Sequence, residues 1–286
     1  MSRIAYVNGL YLPHAQAGVH IEDRGYQFAD GVYEVCEVRG GHLVDERRHM
    51  ERLARSLGEL QIALPMSRTA LGIVLRETVR RNRVGDGMVY LQVTRGVARR
   101  DHVFPPAGTP PSVVVTARSV DPAKGDRQAE QGVAVITVKD NRWERVDIKS
   151  VSLLPNVMAK EQARAAGAKE AWFVDAQGQV TEGGSTNAWI VTRDGVIVTR
   201  PAESGILRGI TRTVVLEVAA RQGLKVEERA FTVAEAYEAR EAFITAATTI
   251  VMPVVQIDGK PVGNGHPGSV AQALRAGFHA MAEIAP

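Results

Sequence analysis

The sequence predicts an α/β protein built from two mixed α/β domains. The chain has 286 residues, 45% hydrophobic and 23% charged, which is globular in composition and long enough for two cores. Strand-like runs closed by tight turns alternate along it with apolar stripes at helical spacing. One polar stretch interrupts the alternation: Ser119–Gly132 carries Asp121-Pro122, Lys124-Gly125-Asp126 and Glu130-Gln131-Gly132 with few apolar residues. The expected bounds are a small first domain at 1–118, a linker at 119–132 and a larger second domain at 133–286.

The elements follow in order. Arg3–Val7 and Leu10–Leu12 flank Asn8-Gly9, a strong hairpin signal. Arg39-Gly40-Gly41 joins Val32–Val38 to His42–Val44 in a second hairpin. Asp45 is placed to cap a helix whose Leu53, Leu57 and Leu60 share one face. Ser67 is placed to cap another, with Leu71, Val74, Leu75 and Val79 as its stripe. Strands at Met88–Thr94 and Val113–Ala117 follow the Gly85-Asp86-Gly87 turn. Between them Arg95–Pro111 is long, basic and rich in Pro and Gly, the kind of loop that carries function. Past the linker, strands are expected at Val133–Lys139, Ala171–Asp175, Ala188–Thr192, Ala242–Thr245 and Val254–Ile257. Helices are expected at Leu154–Ala166, Thr211–Gln222 and Val270–Ile284. No internal repeat or low-complexity segment stands out.

Composition narrows the class. A net charge of +3, with basic residues scattered among acidic ones, argues against a nucleic-acid stripe. No apolar run approaches the roughly 20 residues of a membrane span, and no charged-then-apolar leader precedes Ile4. The single cysteine, Cys36, forbids an internal disulfide; inside Val32–Val38 it reads as a buried small hydrophobe rather than a nucleophile. The expectation is a soluble cytoplasmic protein with no metal site and no nucleic-acid or membrane partner.

Three short stretches carry the chemistry. Asp147-Ile148-Lys149-Ser150 offers an amine in a largely apolar run, unusual because burying an ammonium is costly. Thr181-Glu182-Gly183-Gly184-Ser185-Thr186-Asn187 offers a carboxylate in a turn whose glycines let the backbone approach a ligand. Arg208-Gly209-Ile210-Thr211-Arg212 offers a cationic helix start whose free amides favour a dianion. An amine for a Schiff base, an acid for a pyridinium nitrogen and an anion cradle are what pyridoxal 5′-phosphate requires.

From about Tyr6 to Val255 the order and content of these motifs resemble the fold-type IV pyridoxal-phosphate aminotransferases, and among them the D-amino acid aminotransferases. The resemblance implies that Lys149, in the larger C-terminal domain, is the Schiff-base lysine and moves the proton between the substrate Cα and C4′. It implies that Glu182 holds the pyridine nitrogen protonated, with Ser185 and Thr186 as hydroxyl contacts to cofactor or substrate. The phosphate falls to the Ile210 and Thr211 amides, the Thr211 hydroxyl and Arg52, and Leu207 lies against the ring. Relatives usually carry Ser or Thr where this chain has Ala247, so in Thr245-Ala246-Ala247-Thr248-Thr249 the role passes to Thr248.

The Arg-x-His spacing of Arg100 and His102, with Tyr33 of Gly-Val-Tyr-Glu-Val, resembles the substrate-carboxylate trap of the D-specific group. A guanidinium binds a carboxylate in bidentate fashion, and a nearby donor fixes the remaining lone pairs. Such an anchor selects handedness. With the amine fixed and the Cα hydrogen turned towards the lysine, only two positions remain, and exchanging carboxylate and side chain exchanges D for L. The resemblance therefore implies ping-pong transamination of a D-amino acid such as D-alanine with 2-oxoglutarate, giving pyruvate and D-glutamate. It implies a homodimer with the cofactor between the domains, in which the Arg-x-His loop serves the neighbouring subunit. An L-branched-chain aminotransferase, an (R)-amine transaminase and an aminodeoxychorismate lyase share the other parts and remain alternatives.

Overall fold

The computed structural model describes residues 3–203 and 205–285, and the chain divides into two compact units. The first comprises Met1–Pro122, Ile148–Ser152 and Glu283–Pro286; the second comprises Ala123–Asp147 and Leu153–Ala282. The sequence bounds differ from these units in two places. The short segment around Lys149 packs with the first unit, and the end of the chain returns to it.

The first unit contains β1 (Ile4–Val7), β2 (Leu10–Pro13), α1 (Arg24–Phe28), β3 (Gly31–Arg39), β4 (His42–Val44), α2 (Glu46–Glu59), α3 (Arg68–Arg81), β5 (Gly87–Thr94) and β6 (Ser112–Ser119). The first hairpin turns at Asn8 and Gly9, whose φ of 46° and 99° is the conformation that Asn-Gly accepts. β3 runs antiparallel to β5 from Gly31↔Thr94 to Val38↔Gly87. α2 buries Met50, Leu53 and Leu57, and α3 buries Leu71, Val74, Leu75 and Val79, in one cluster with the inward residues of β3, β5 and β6. Ser67 caps α3 through the Ala70 amide at 3.2 Å. Asp45 occupies the start of α2 without capping it: its φ is 54° and its carboxylate accepts the Glu283 amide at 3.0 Å. Burial and neighbouring carboxylates, Glu34 first among them, push the Cys36 thiol well above its ordinary value, so it is an inert core side chain.

The second unit contains α4 (Pro122–Gln131), β7 (Val133–Lys139), α5 (Leu154–Ala165), β8 (Glu170–Val174), β9 (Gln179–Gly183), β10 (Asn187–Val191), β11 (Ile197–Thr199), α6 (Ile210–Arg221), β12 (Val226–Glu228), β13 (Phe231–Thr232), α7 (Val233–Glu238), β14 (Glu241–Ala246), β15 (Ile250–Ile257), β16 (Lys260–Pro261) and α8 (Ser269–Phe278). The order across its sheet is β12-β11-β10-β14-β15-β7-β8-β9-β13, with β16 on β15, and β7 lies parallel to both β15 and β8. The last strand, β17 (Ile284–Ala285), pairs with β4 and completes the first sheet in the order β17-β4-β3-β5-β6-β1-β2.

Three elements depart from the sequence reading. The expected linker is mostly the helix α4, whose one buried residue, Ala129, gives little periodicity to read. The closing helix ends at Phe278, and Ile284 belongs to a strand. Glu182 lies on β9 rather than in the turn, which occupies the residues just after it.

Strand periodicity puts Glu34 on the buried face of β3 beside Val32, Cys36 and Val38. A carboxylate there needs a cation. α2 supplies Arg52, with Nε on one oxygen and Nη2 on the other, both at 2.8 Å, and His49 Nδ1 at 2.7 Å. Burial pushes the Glu34 carboxyl up, but the Arg52 charge and the Arg52 and His49 hydrogen bonds outweigh it and hold it well below the usual range. Glu34→Gln leaves a buried guanidinium without its charge and is expected to cost about 3–5 kcal/mol in denaturant unfolding at pH 7. Because the folded value is depressed, this stabilisation is complete above the unfolded carboxyl value of about 4.3 and fades as pH falls towards the folded one. The gap between wild type and variant should therefore close in acid; a gap that widens below pH 4 would contradict the pairing.

Candidate active site

Lys149 is placed by its backbone. Its carbonyl accepts the Tyr33 amide at 3.0 Å, Val151 donates to Gly31, and Ser150 bridges Val32, so residues 149–151 extend the edge of β3. The Lys149 amide is 3.3 Å from the Ser56 hydroxyl of α2, and Ile148 sits in the first unit's core. The half-buried side chain turns its Nζ over the Tyr33 ring, 4.2 Å from the centroid. Among the described residues no carboxylate pairs with this amine.

Glu182 is buried in the second unit. Arg142 Nη1 meets its Oε1 at 2.5 Å; the Leu207 amide and Asn187 Nδ2 reach Oε2 at 3.1 and 3.2 Å. Asn187 also donates to the Leu207 carbonyl at 3.0 Å, which ties the approach to α6 to the carboxylate. Arg142 is fixed in turn by both oxygens of Asp140, by the Thr181 hydroxyl and by the face of Phe173. The sequence reading missed Arg142, because Asp140-Asn141-Arg142 looks like a polar turn after β7. The signal that could have found it is general: a buried carboxylate requires a cation.

The hydroxyls divide. Ser185 is committed to Glu170, donating its Oγ at 2.8 Å and its amide at 3.2 Å, and Lys160 neutralises that wholly buried carboxylate at 3.1 Å. The Thr186 Oγ1 is buried and has no hydrogen-bond partner among the described residues. Thr248 is exposed in the turn between β14 and β15, whereas the Thr249 hydroxyl beside it is buried and also unpartnered. Ile210 and Thr211 open α6 after Gly209 and are buried. Arg52 spends two donors on Glu34, so its reach is set by β3.

Arg100 and His102 lie together on the exposed 95–111 loop, against Phe28: the Arg100 guanidinium is 5.0 Å and the His102 ring 5.5 Å from its centroid. Among the described residues no carboxylate pairs with Arg100. Tyr33 makes its ring contacts elsewhere, with Tyr90 at 5.8 Å and with Lys149.

The Amino-transferase class IV family profile matches residues 31–257. The chain belongs to the class IV aminotransferases. It is 44% identical to a D-alanine aminotransferase of Bacillus licheniformis, over 94% of this chain and 93% of that one. It is 41% identical to one of Listeria monocytogenes, over 95% and 93%. Among solved structures it resembles the branched-chain aminotransferase of Thermoproteus uzoniensis with norvaline, with a TM-score of 0.87, 26% identity and coverage of 99% of both chains. The fold is that of fold type IV, and pyridoxal phosphate is the cofactor of this class; another branched-chain aminotransferase of like structure, 28% identical, was solved with pyridoxamine 5′-phosphate.

The residues present fit that group. Two buried hydroxyls, Thr186 and Thr249, wait for an acceptor or donor. Gly209 has no room for a side chain: a Cβ there would lie 2.1 Å from Asn187 Oδ1. Gly209→Ala is expected to push the Asn187 amide off Glu182 and Leu207, costing about 1–3 kcal/mol in unfolding. It should also raise the Kd for cofactor measured by fluorescence titration of the apoprotein. Unchanged cofactor affinity would separate Asn187 from the cofactor site.

Proposed function

We propose that this aminotransferase moves the amino group of a D-amino acid such as D-alanine to 2-oxoglutarate, giving pyruvate and D-glutamate, and works as a cytoplasmic homodimer with shared active sites. The observation that carries the reading is the Arg100 guanidinium beside His102, paired with no carboxylate among the described residues, in a chain so similar to enzymes that carry the D-alanine name. No described helix is long and apolar enough to cross a membrane.

Bound pyridoxal phosphate supplies a conjugated ring that accepts the electrons of the Cα–H bond. The rest is done by the chain's own groups. Lys149 would hold the cofactor through its amine and, once freed, would take the proton from the substrate Cα; among the described residues it lies beside Tyr33 and pairs with no carboxylate. Glu182, held in one orientation by Arg142, Asn187 and the Leu207 amide, would hold the proton on the pyridine nitrogen. The phosphate is assigned to Arg52, the Ile210 and Thr211 amides, the Thr211 hydroxyl and the Thr248–Thr249 turn. Leu207 would lie against the ring, and Thr186, whose hydroxyl has no partner among the described residues, would offer it a contact that Ser185, bound to Glu170, would not.

Tyr33, Arg100 and His102 bind the substrate carboxylate, and Arg100→Leu tests this. Removing one partner of a desolvated charge pair costs ~2–5 kcal/mol, and even ~1.4 kcal/mol is a tenfold loss in kcat/KM. D-alanine and 2-oxoglutarate should weaken together, with the visible spectrum of the bound cofactor unchanged. Wild type should strongly prefer D-alanine over L-alanine, L-leucine and an (R)-amine without a carboxylate. A preference for L-leucine would shift the reading to branched-chain transamination, and a kinetically silent Arg100→Leu would remove the trap.

A further inference from the structure

The residue between Arg100 and His102 is itself held. Arg24, buried on α1, donates Nη1 to the Asp101 carbonyl at 2.7 Å and Nε to Asp30 Oδ2 at 2.8 Å. Asp30 is shared: Arg95, at the loop's entry, reaches its two oxygens at 2.7 and 3.0 Å and also donates to the Leu60 and Gln61 carbonyls. Burial pushes the Asp30 carboxyl up, but the hydrogen bonds and charges of Arg95 and Arg24 prevail and hold it below its ordinary range. Backbone bonds complete the frame, from the Arg24 amide to the Gly96 carbonyl and from the Ala98 amide to the Glu22 carbonyl. Gly96 admits no side chain, since its Cβ would lie 2.0 Å from the Pro110 carbonyl oxygen, so the two ends of the loop are locked together. Phe104 folds back with its ring 3.6 Å from the Arg95 guanidinium carbon.

We propose that Arg24 and Asp30 are positioning residues for the substrate carboxylate: they clamp the loop at Asp101 and so hold Arg100 and His102 in their binding geometry. The proposal rests on the carboxylate role of those two residues. The chemistry is that of a fork. Arg24 spans two acceptors, one in the loop and one on Asp30, and a lysine amine cannot reproduce this planar pair. Its guanidinium also lies 4.7 Å from the Phe28 centroid, on the same ring that Arg100 and His102 face. Asp30 offers its carboxylate to both Arg24 and Arg95, whereas among the described residues Arg100 pairs with no carboxylate.

The test uses cofactor-loaded wild type, Arg24→Met, the milder Arg24→Lys and Arg100→Leu. KM and kcat are read for D-alanine and 2-oxoglutarate, with the rate of tryptic cleavage after Arg99 and Arg100. A misplaced binding group costs about ten- to a hundredfold. Arg24→Met is expected to raise both KM values by about that factor while kcat stays within about twofold. Cleavage should quicken, and the cofactor's visible band should stay in place. Arg24→Lys should move the same quantities in the same direction, because charge without the fork does not suffice. Unchanged KM and cleavage in both Arg24 variants overturn the clamp. Faster cleavage with unchanged KM overturns the positioning role if Arg100→Leu raises KM; if Arg100→Leu is silent as well, the carboxylate reading itself has failed.

Discussion

A carboxylate removed from water must be met by a cation or by several hydrogen bonds, and this requirement organises both units. Glu34 is met by Arg52, Glu182 by Arg142, Glu170 by Lys160, and Asp30 by Arg24 and Arg95 together. Each pairing fixes a piece of backbone next to a residue with a chemical task. Among the described residues Lys149 and Arg100 each face an aromatic ring and pair with no carboxylate. A ring holds a cation in place without neutralising it, which fits the roles proposed for this amine and this guanidinium.

The fixed pairs also explain why the machinery is precise without being strained. Glu182 has one oxygen on Arg142 and the other on a backbone amide and an asparagine, so its orientation is settled before any ligand arrives. Lys149 is held by main-chain bonds to β3, so its backbone position is fixed while the proposed proton transfer falls to its side chain.

Much of this was legible in the sequence where a residue's local context carries its role. The Asn8-Gly9 hairpin, the Ser67 cap and the apolar stripes of α2 and α3 are short-range patterns, and they appear where expected. Lys149, Glu182, Arg100 and His102 were singled out because their motifs are contiguous. Long-range partners were not. Arg142 lies 40 positions from Glu182 in sequence, and Arg24 lies 77 from Asp101. Nothing in Asp23-Arg24-Gly25 or Asp140-Asn141-Arg142 announces such contacts. The same limit applied to Lys149: the stretches flanking Ile148–Ser152 belong to the second unit, while that segment and its hydrogen bonds belong to the first. Ser185 and Thr248 show the complementary limit: a motif presents several hydroxyls alike, and packing gives each its own surroundings. Glu170 takes Ser185, and the turn buries Thr249 instead of Thr248.

Lys149, whose amine pairs with no carboxylate among the described residues, is proposed to carry the cofactor. Borohydride reduction of the cofactor-loaded protein, followed by proteolysis and mass spectrometry, tests it directly. The account predicts one phosphopyridoxyl group per chain on the peptide containing Lys149, and no labelled peptide from a Lys149→Ala variant. Labelling at Lys160, whose amine is already committed to Glu170, or full labelling of the variant at any other lysine, would contradict it.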